Sequence, residues 1–223
     1  MDRIGTLNEK PLHAALKAWY ARAGDRIEAP VDGYVVDIVR DDLLIEIQTR
    51  NFSAFKRKLH SLAQTHPVHI VHPIALEKWI VRLGEEGVIL SRRKSPKRGQ
   101  VVDVFAELVH IPALFRLDAI TLEVVLIQED EVRVHDPRRG WRRRGWVVEQ
   151  RQLLDVVASE RFDGPDDLLR LLPLDLPTPF STADLAAALG RPRRLAQQVA
   201  YTLREMGALT PHGKRGNALL YAR

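Results

Sequence analysis

Two carboxylates set inside apolar, strand-like runs are the residues of this chain best placed for chemistry. Asp37 lies in Val35-Val36-Asp37-Ile38-Val39, and Glu46 in Leu43-Leu44-Ile45-Glu46-Ile47-Gln48. The runs are β-branched or aliphatic and flank Arg40-Asp41-Asp42, which is the pattern of a hairpin. With Asp41-Asp42 as a two-residue loop, Val39 faces Leu44, Ile38 faces Ile45 and Asp37 faces Glu46. Side chains alternate along a strand, so the two carboxylates then share a face with Cβ atoms roughly 5 Å apart. Like charges in that arrangement are destabilising unless a cation lies between them, and carboxylate oxygens are the ligands Mg²⁺ prefers. A three-residue loop would send the two groups to opposite faces.

The elements that must hold this pair surround it in sequence. Leu7 to Ala23 carries an apolar stripe at Leu12, Leu16, Trp19 and Tyr20, and reads as a helix with Asn8 as its cap. Glu9 falls in its first turn, where the helix dipole alone favours an acid. Ile27 to Pro30 begins the sheet, and Val31-Asp32-Gly33 is a bend whose Asp32 competes with Asp37 as a ligand. After Gln48, the spacing of Phe52, Phe55, Leu59 and Leu62 predicts a helix with one buried face. Lys56, Arg57, Lys58 and His60 crowd the rest of it. Val68 to Ile74 is an apolar strand. His66, His69 and His72 recur every three residues around it, and that period cannot bring them to one face of a strand, so they read as structural.

The order acid, turn, acid-x-Gln, preceded by a helix with Glu9 and followed by a helix and a strand, resembles the PD-(D/E)xK nuclease superfamily over about residues 5 to 75. The resemblance implies a restriction-endonuclease-like mixed α/β sheet flanked by helices, and metal-dependent phosphodiester hydrolysis. Asp37 matches the first acid and Glu46 the second, with Glu9 and the Ile47 carbonyl completing a site for Mg²⁺ or Mn²⁺. Gln48 stands where the family has Lys. It can hydrogen-bond a water but carries no charge and is no base. The family's Lys orients water and offsets phosphate charge, so either the metal alone generates the nucleophile or Lys56 or Lys58 reaches over from the next helix. A chain that kept the fold and lost the chemistry is the alternative, a DNA-binding or regulatory protein.

Further on, Glu77 to Leu83 and Val88 to Ser91 read as a hairpin or a helix–strand step. Arg92-Arg93-Lys94-Ser95-Pro96-Lys97-Arg98-Gly99 is a basic loop that suits a domain boundary. Val101 to Phe115 suggests a helix broken at Pro112. Leu122–Gln128 and Glu131–His135 read as a hairpin turning at Glu129-Asp130, and Leu153–Phe162 and Asp166–Leu172 as helices. Asp136-Pro-Arg-Arg-Gly-Trp141-Arg-Arg-Arg-Gly-Trp146 alternates arginine with tryptophan. Arg142, Arg143 and Arg144 suit phosphates, and the tryptophans suit either an unpaired base or the core.

The last 43 or so residues form a helix at Phe180–Leu189, a turn at Gly190-Arg-Pro192, a helix at Arg193–Met206, and a basic hairpin. This resembles a winged helix-turn-helix. The resemblance implies DNA binding, with Arg191, Arg193, Arg194 and Gln197 at the start of the second helix, where base edges are met, and Lys214 and Arg215 on the wing, where phosphates are. The expected domains are 1–91, a nuclease-like unit, 92–176, a basic middle region, and 177–223, a winged helix.

Bulk properties exclude other classes. With 45% hydrophobic residues in 223 the chain can bury a core. It has no cysteine, so neither disulfides nor zinc–thiolate sites arise. No apolar run nears the roughly 20 residues of a membrane helix, and the first residues lack a signal-peptide core, so a cytoplasmic protein off the membrane is expected. Net charge is +5, a small excess whose placement matters more than its size. DNA is the expected partner, and a homodimer would suit double-strand cutting.

Overall fold

The computed structural model describes residues 10–139 and 144–223. Its frame is a seven-stranded mixed sheet. Helix α1 (Pro11–Tyr20) precedes the antiparallel meander β1 (Arg26–Val31), β2 (Tyr34–Arg40) and β3 (Leu43–Ile47). Pro11 opens α1, where its missing N–H costs nothing. Helix α2 (Phe52–Leu62) then crosses over, so that β4 (Val68–Leu83) runs parallel to β3. After β5 (Ile89–Lys94) and the short α3 (Phe105–Leu108), β6 (Ile120–His135) adds a second parallel neighbour to β4, and β7 (Trp146–Phe162) returns antiparallel to it.

The two faces of the sheet are covered differently. Leu12 and Leu16 of α1 pack on Ile38, Ile45, Ile47, Val71, Val125 and Ile127. The other face carries the larger core: Phe52, Phe55, Leu59 and Leu62 of α2, Phe105 and Leu108 of α3, and the C-terminal helices. Those helices are α5 (Thr182–Leu189) and α6 (Arg193–Met206), preceded by α4 (Pro165–Leu169). With them goes a small sheet of β8 (Phe180–Ser181), β10 (Ala218–Ala222) and β9 (Thr210–Arg215). Ser181 caps α5 and exchanges bonds with Asp184, and Gly190, at φ 60°, ends it. Leu195, Val199 and Leu203 of α6 belong to the same buried cluster as α2 and α3. An edge at residue 91/92 therefore falls inside β5, and the sheet and core run on across it.

Several elements differ from expectation for non-local reasons. Leu153–Phe162 is strand, because it pairs along nearly the whole of β6. Glu129 and Asp130 do not turn the chain but lie within β6, where Arg151 and Arg92 meet their carboxylates. Glu77–Leu83 prolongs β4, and Val101–Phe115 is broken into 3₁₀ turns and one short helix. Among the described residues no helix is long and apolar enough to cross a membrane.

Candidate active site

Asp37 sits where two ladders open. β1 and β2 pair at Ile27–Ile38 and at Ala29–Val36 but not at Glu28 and Asp37, and Glu28 takes a φ of 50°. The β2–β3 ladder, in the register the Asp41-Asp42 loop predicts, ends at Ile38–Ile45. One step beyond, Asp37 and Glu46 would face each other. In place of a further ladder bond, the Ile47 N–H donates 2.8 Å to Asp37 Oδ2. The same oxygen lies 3.2 Å from His13 Nε2 of α1.

Glu46 turns to the other layer. Lys58 Nζ of α2 is 2.5 Å from Glu46 Oε1 and donates to the Val35 carbonyl at 2.6 Å. Lys58 thus sets a positive charge against the buried Glu46 Oε1, and the Asp37 backbone N–H also favours the ionised carboxylate. The two carboxylates thus draw their partners from helices on opposite faces, a departure from the shared face expected of them. They remain electrically coupled. Burial, with the Asp37 charge adding to it, raises Glu46 to about 7 against the pull of Lys58. Burial also pushes Asp37 up, but the His13 bond and charge, the Ile47 N–H and the Lys58 charge outweigh it and hold Asp37 below the usual carboxylate range.

The remaining candidates divide sharply. Gln48 is not at the carboxylates: its amide donates to the Arg50 and Asn51 carbonyls and closes the turn into α2. Its own carbonyl faces His72 Nδ1 at 2.7 Å. Lys56 is exposed, away from the site, and Lys58 takes the position instead. Ile47 is tied to Asp37 through its N–H. Glu9, Arg142 and Arg143 lie outside the described residues. Asp32 pairs with His66 at 3.0 Å. His69 binds Thr121 and Glu123, so the three histidines do not converge. His13 was not singled out from the sequence. Its signal is its place beside Leu12 on a helix whose stripe must face the sheet. It lines a small pocket of about 110 Å³ with Lys10, Thr49, Arg50 and Arg151.

In the C-terminal unit, Arg193, Arg194, Gln197 and Lys214 are exposed, as is Arg144 on its loop. Arg191 pairs with Asp103, and Arg215, itself exposed on the hairpin, pairs with Asp184. Trp146 stacks edge-on with His135 and lies under Arg82, 4.7 Å from its ring centre, which is an anchoring role.

The divalent ion implied by the resemblance meets a mixed donor set. Among the described residues no group of three or more His, Cys, Asp or Glu is placed to hold a metal. Two electrically coupled carboxylates are present, with the Ile47 N–H on Asp37 Oδ2 and the Lys58 ammonium 2.5 Å from Glu46 Oε1. Mg²⁺ takes one or two protein carboxylates and fills its shell with water and substrate phosphate, and at this pair it would have to displace Lys58 from Glu46.

Residues 10–163 match the family described as "Domain of unknown function (DUF8091)". A Treponema pallidum (strain Nichols) protein carried as "Uncharacterized protein" is 33% identical over 220 residues, 98% of this chain and 86% of its own length. No solved structure matches. Both the reach of the family match and that near full-length similarity lead to one statement, that the chain belongs to the DUF8091 family.

Proposed function

We propose that this protein hydrolyses phosphodiester bonds in DNA with Mg²⁺ or Mn²⁺ held by Asp37 and Glu46, on a restriction-endonuclease-like sheet. We further propose that its C-terminal helices and basic hairpin are a winged-helix unit that binds the substrate. The order helix, three-strand meander, crossover helix, parallel strand supports the first part. The observation that carries it is the pair of acids beside a broken ladder, with the Lys58 ammonium 2.5 Å from Glu46.

When bound, the ion would supply Lewis acidity and a water of lowered pKa. Lys58 provides the cation that Gln48 lacks, and its charge offsets the phosphate. Without the ion Glu46 rises to about 7, so taking up the ion at neutral pH would release its proton. His13 orients Asp37, and the pocket it shares with Lys10, Arg50 and Arg151 can hold a neighbouring phosphate.

The reading is tested with purified protein on duplex, branched and single-stranded DNA with Mg²⁺ or Mn²⁺. Cleavage lost in Asp37→Ala and in Glu46→Gln is expected. Cleavage that survives both overturns it. A second reading, a nuclease fold that only binds DNA, is favoured by the Lys58–Glu46 pair, which already compensates the acid a metal would need. Calorimetric titration with Mn²⁺ separates the two, since the binder takes up no ion at this pair.

A further inference from the structure

Between the far half of β4 and the start of α6 lies an open cleft of about 710 Å³. Its floor is apolar, with Ile74, Ala75 and Leu195, and its rims are basic. Both walls are held in place. On one side Gly99 donates to the Ala75 carbonyl at 2.9 Å. A Cβ there would lie 2.5 Å from the Ile74 side chain and 2.6 Å from that carbonyl oxygen, so only glycine lets the 96–99 loop press onto β4. On the other side Arg191 ties α6 to Asp103. Most of the cations here are committed: Lys78 pairs with Glu131, and Arg98 with Glu77. Lys97 on the loop and Arg194 on the helix line opposite walls, are exposed, and have no acid partner among the described residues.

From this we infer that the cleft binds a short stretch of single-stranded nucleic acid, with phosphates at Lys97 and Arg194 and sugar or base faces on the apolar floor. The choice of nucleic acid rests on the proposed function; the cleft itself does not. A duplex keeps its apolar base faces stacked inside and offers only phosphate, so it satisfies the rims and leaves the floor uncovered. An unpaired strand satisfies both. The fixed walls mean little ordering is lost on binding. The α6 N-terminus then contributes a wall of this cleft as well as a surface for duplex contact, with Gln198 available to hydrogen-bond a base edge.

The test is fluorescence anisotropy of the full chain in EDTA, where no cleavage occurs, with labelled dT12, rU12 and a 12-base-pair duplex over a salt series. Lys97→Ala combined with Arg194→Ala is expected to weaken binding of whichever single strand is bound at least tenfold. The slope of log affinity against log salt should fall by about 1.4, which is two phosphate contacts on a single strand. Lys97→Ala alone, which spares the α6 surface proposed for duplex contact, should weaken the single strand and change duplex affinity less than twofold. Gln198→Glu, which adds a like charge to the bound backbone, should weaken the same strand. The pair Lys56→Ala and Arg57→Ala removes equal charge elsewhere and should leave it unchanged. Equal losses on single strand and duplex in Lys97→Ala, or an unchanged single-strand slope in the double variant, overturn the inference. A chain that binds in this way and cleaves nothing loses only the hydrolase reading. A chain that cleaves, yet is indifferent to Lys97 and Arg194, loses only this one.

Discussion

Carboxylates are buried at two places in the same sheet, on β6 and at the β2–β3 opening, and their surroundings drive them apart. On β6, burial would raise Glu123, but the bond to His69 Nε2 at 3.0 Å and the neighbouring Ser159 and Tyr20 hydroxyls outweigh it and hold it at about 2. Glu131 is pulled below the usual range by Lys78 and Arg133, again against burial, and Glu129 is met by Arg151 at 2.7 Å. Glu46 on β3 is more buried than Glu123 and lies beside a second acid, so burial and the Asp37 charge outweigh Lys58 and it rises to about 7. It does so where the ladder is open and a small basic pocket adjoins. An acid held low by its partners is what structure needs; one left near neutrality is what a cation or a proton can use.

The sharpest way to break that contrast is activity. Asp37→Ala should lower DNA cleavage about a thousandfold, on the order of 4 kcal/mol of barrier, while Glu129→Ala leaves it within threefold in protein that remains folded. Single-turnover cleavage with Mn²⁺ measures both. Equal losses would mean that the β3 pair is not special. Stability should show the reverse ranking. Glu129→Ala strands Arg151 beside a buried vacancy and should cost about 3 kcal/mol in urea unfolding. Glu46→Gln removes a charge whose burial outweighs its lysine partner and should be neutral or stabilising by up to about 1 kcal/mol.

How much of this was legible in sequence depended on how local the cause was. The Asp41-Asp42 loop fixed the β2–β3 register, Val39 against Leu44 and Ile38 against Ile45, from residues adjacent in the chain. The helix face of Phe52, Phe55, Leu59 and Leu62 followed from spacing alone. Glu129-Asp130 looked like a turn because two acids interrupted apolar runs. The arginines that keep them in a strand stand 22 and 38 residues away. Leu153, Leu154, Val156 and Val157 satisfy a helical period as well as a strand, and only pairing with β6 decides. Gln48 was given a catalytic role by its place in a motif. Its amide is spent on the Arg50 and Asn51 carbonyls in the turn into α2. The same register points Asp37 at Glu46, but the ladder stops at Ile38–Ile45 and their partners come from opposite faces; which helix reaches each is a matter of layers, and layers are not written in a hairpin.

The pH dependence of stability sharpens the comparison with opposite slopes. Glu123 has a folded pKa of about 2, below its ordinary value of 4.5, so it stabilises the fold above pH 4.5 and that contribution is lost as pH falls towards 2. Glu46 has a folded pKa of about 7, above 4.5, so the native state binds the extra proton, and stability falls as pH rises from 4.5 to 7, on the order of 2 kcal/mol. Glu46→Gln should abolish the falling limb and leave the acid limb intact in melts from pH 3 to 8. Mg²⁺, which favours the ionised pair, should flatten the same limb in the unmodified chain. If the falling limb persists in Glu46→Gln, another group carries it.

The smallest effects distinguish the two lysines of α2. At 3.6 residues per turn, Lys56 and Lys58 lie about equally far to either side of the buried stripe, so helix phase does not choose between them. The direction in which α2 crosses the sheet does, and it brings Lys58 to Glu46 and leaves Lys56 in solvent. Lys56→Met should therefore change stability by less than about 0.5 kcal/mol and leave the pH profile of cleavage unmoved. Lys58→Met removes the one cation paired with Glu46 and should push its titration higher still. At pH 7 the acid then simply stays protonated, so stability drops by less than about 1 kcal/mol. The rising limb of the pH–rate profile should move up by about one unit as the ionised form becomes harder to reach. Glutamate titration followed by NMR in the two variants checks the cause directly. A shift at Glu46 in Lys56→Met, or none in Lys58→Met, would reassign the lysine and with it the charge available to a bound phosphate.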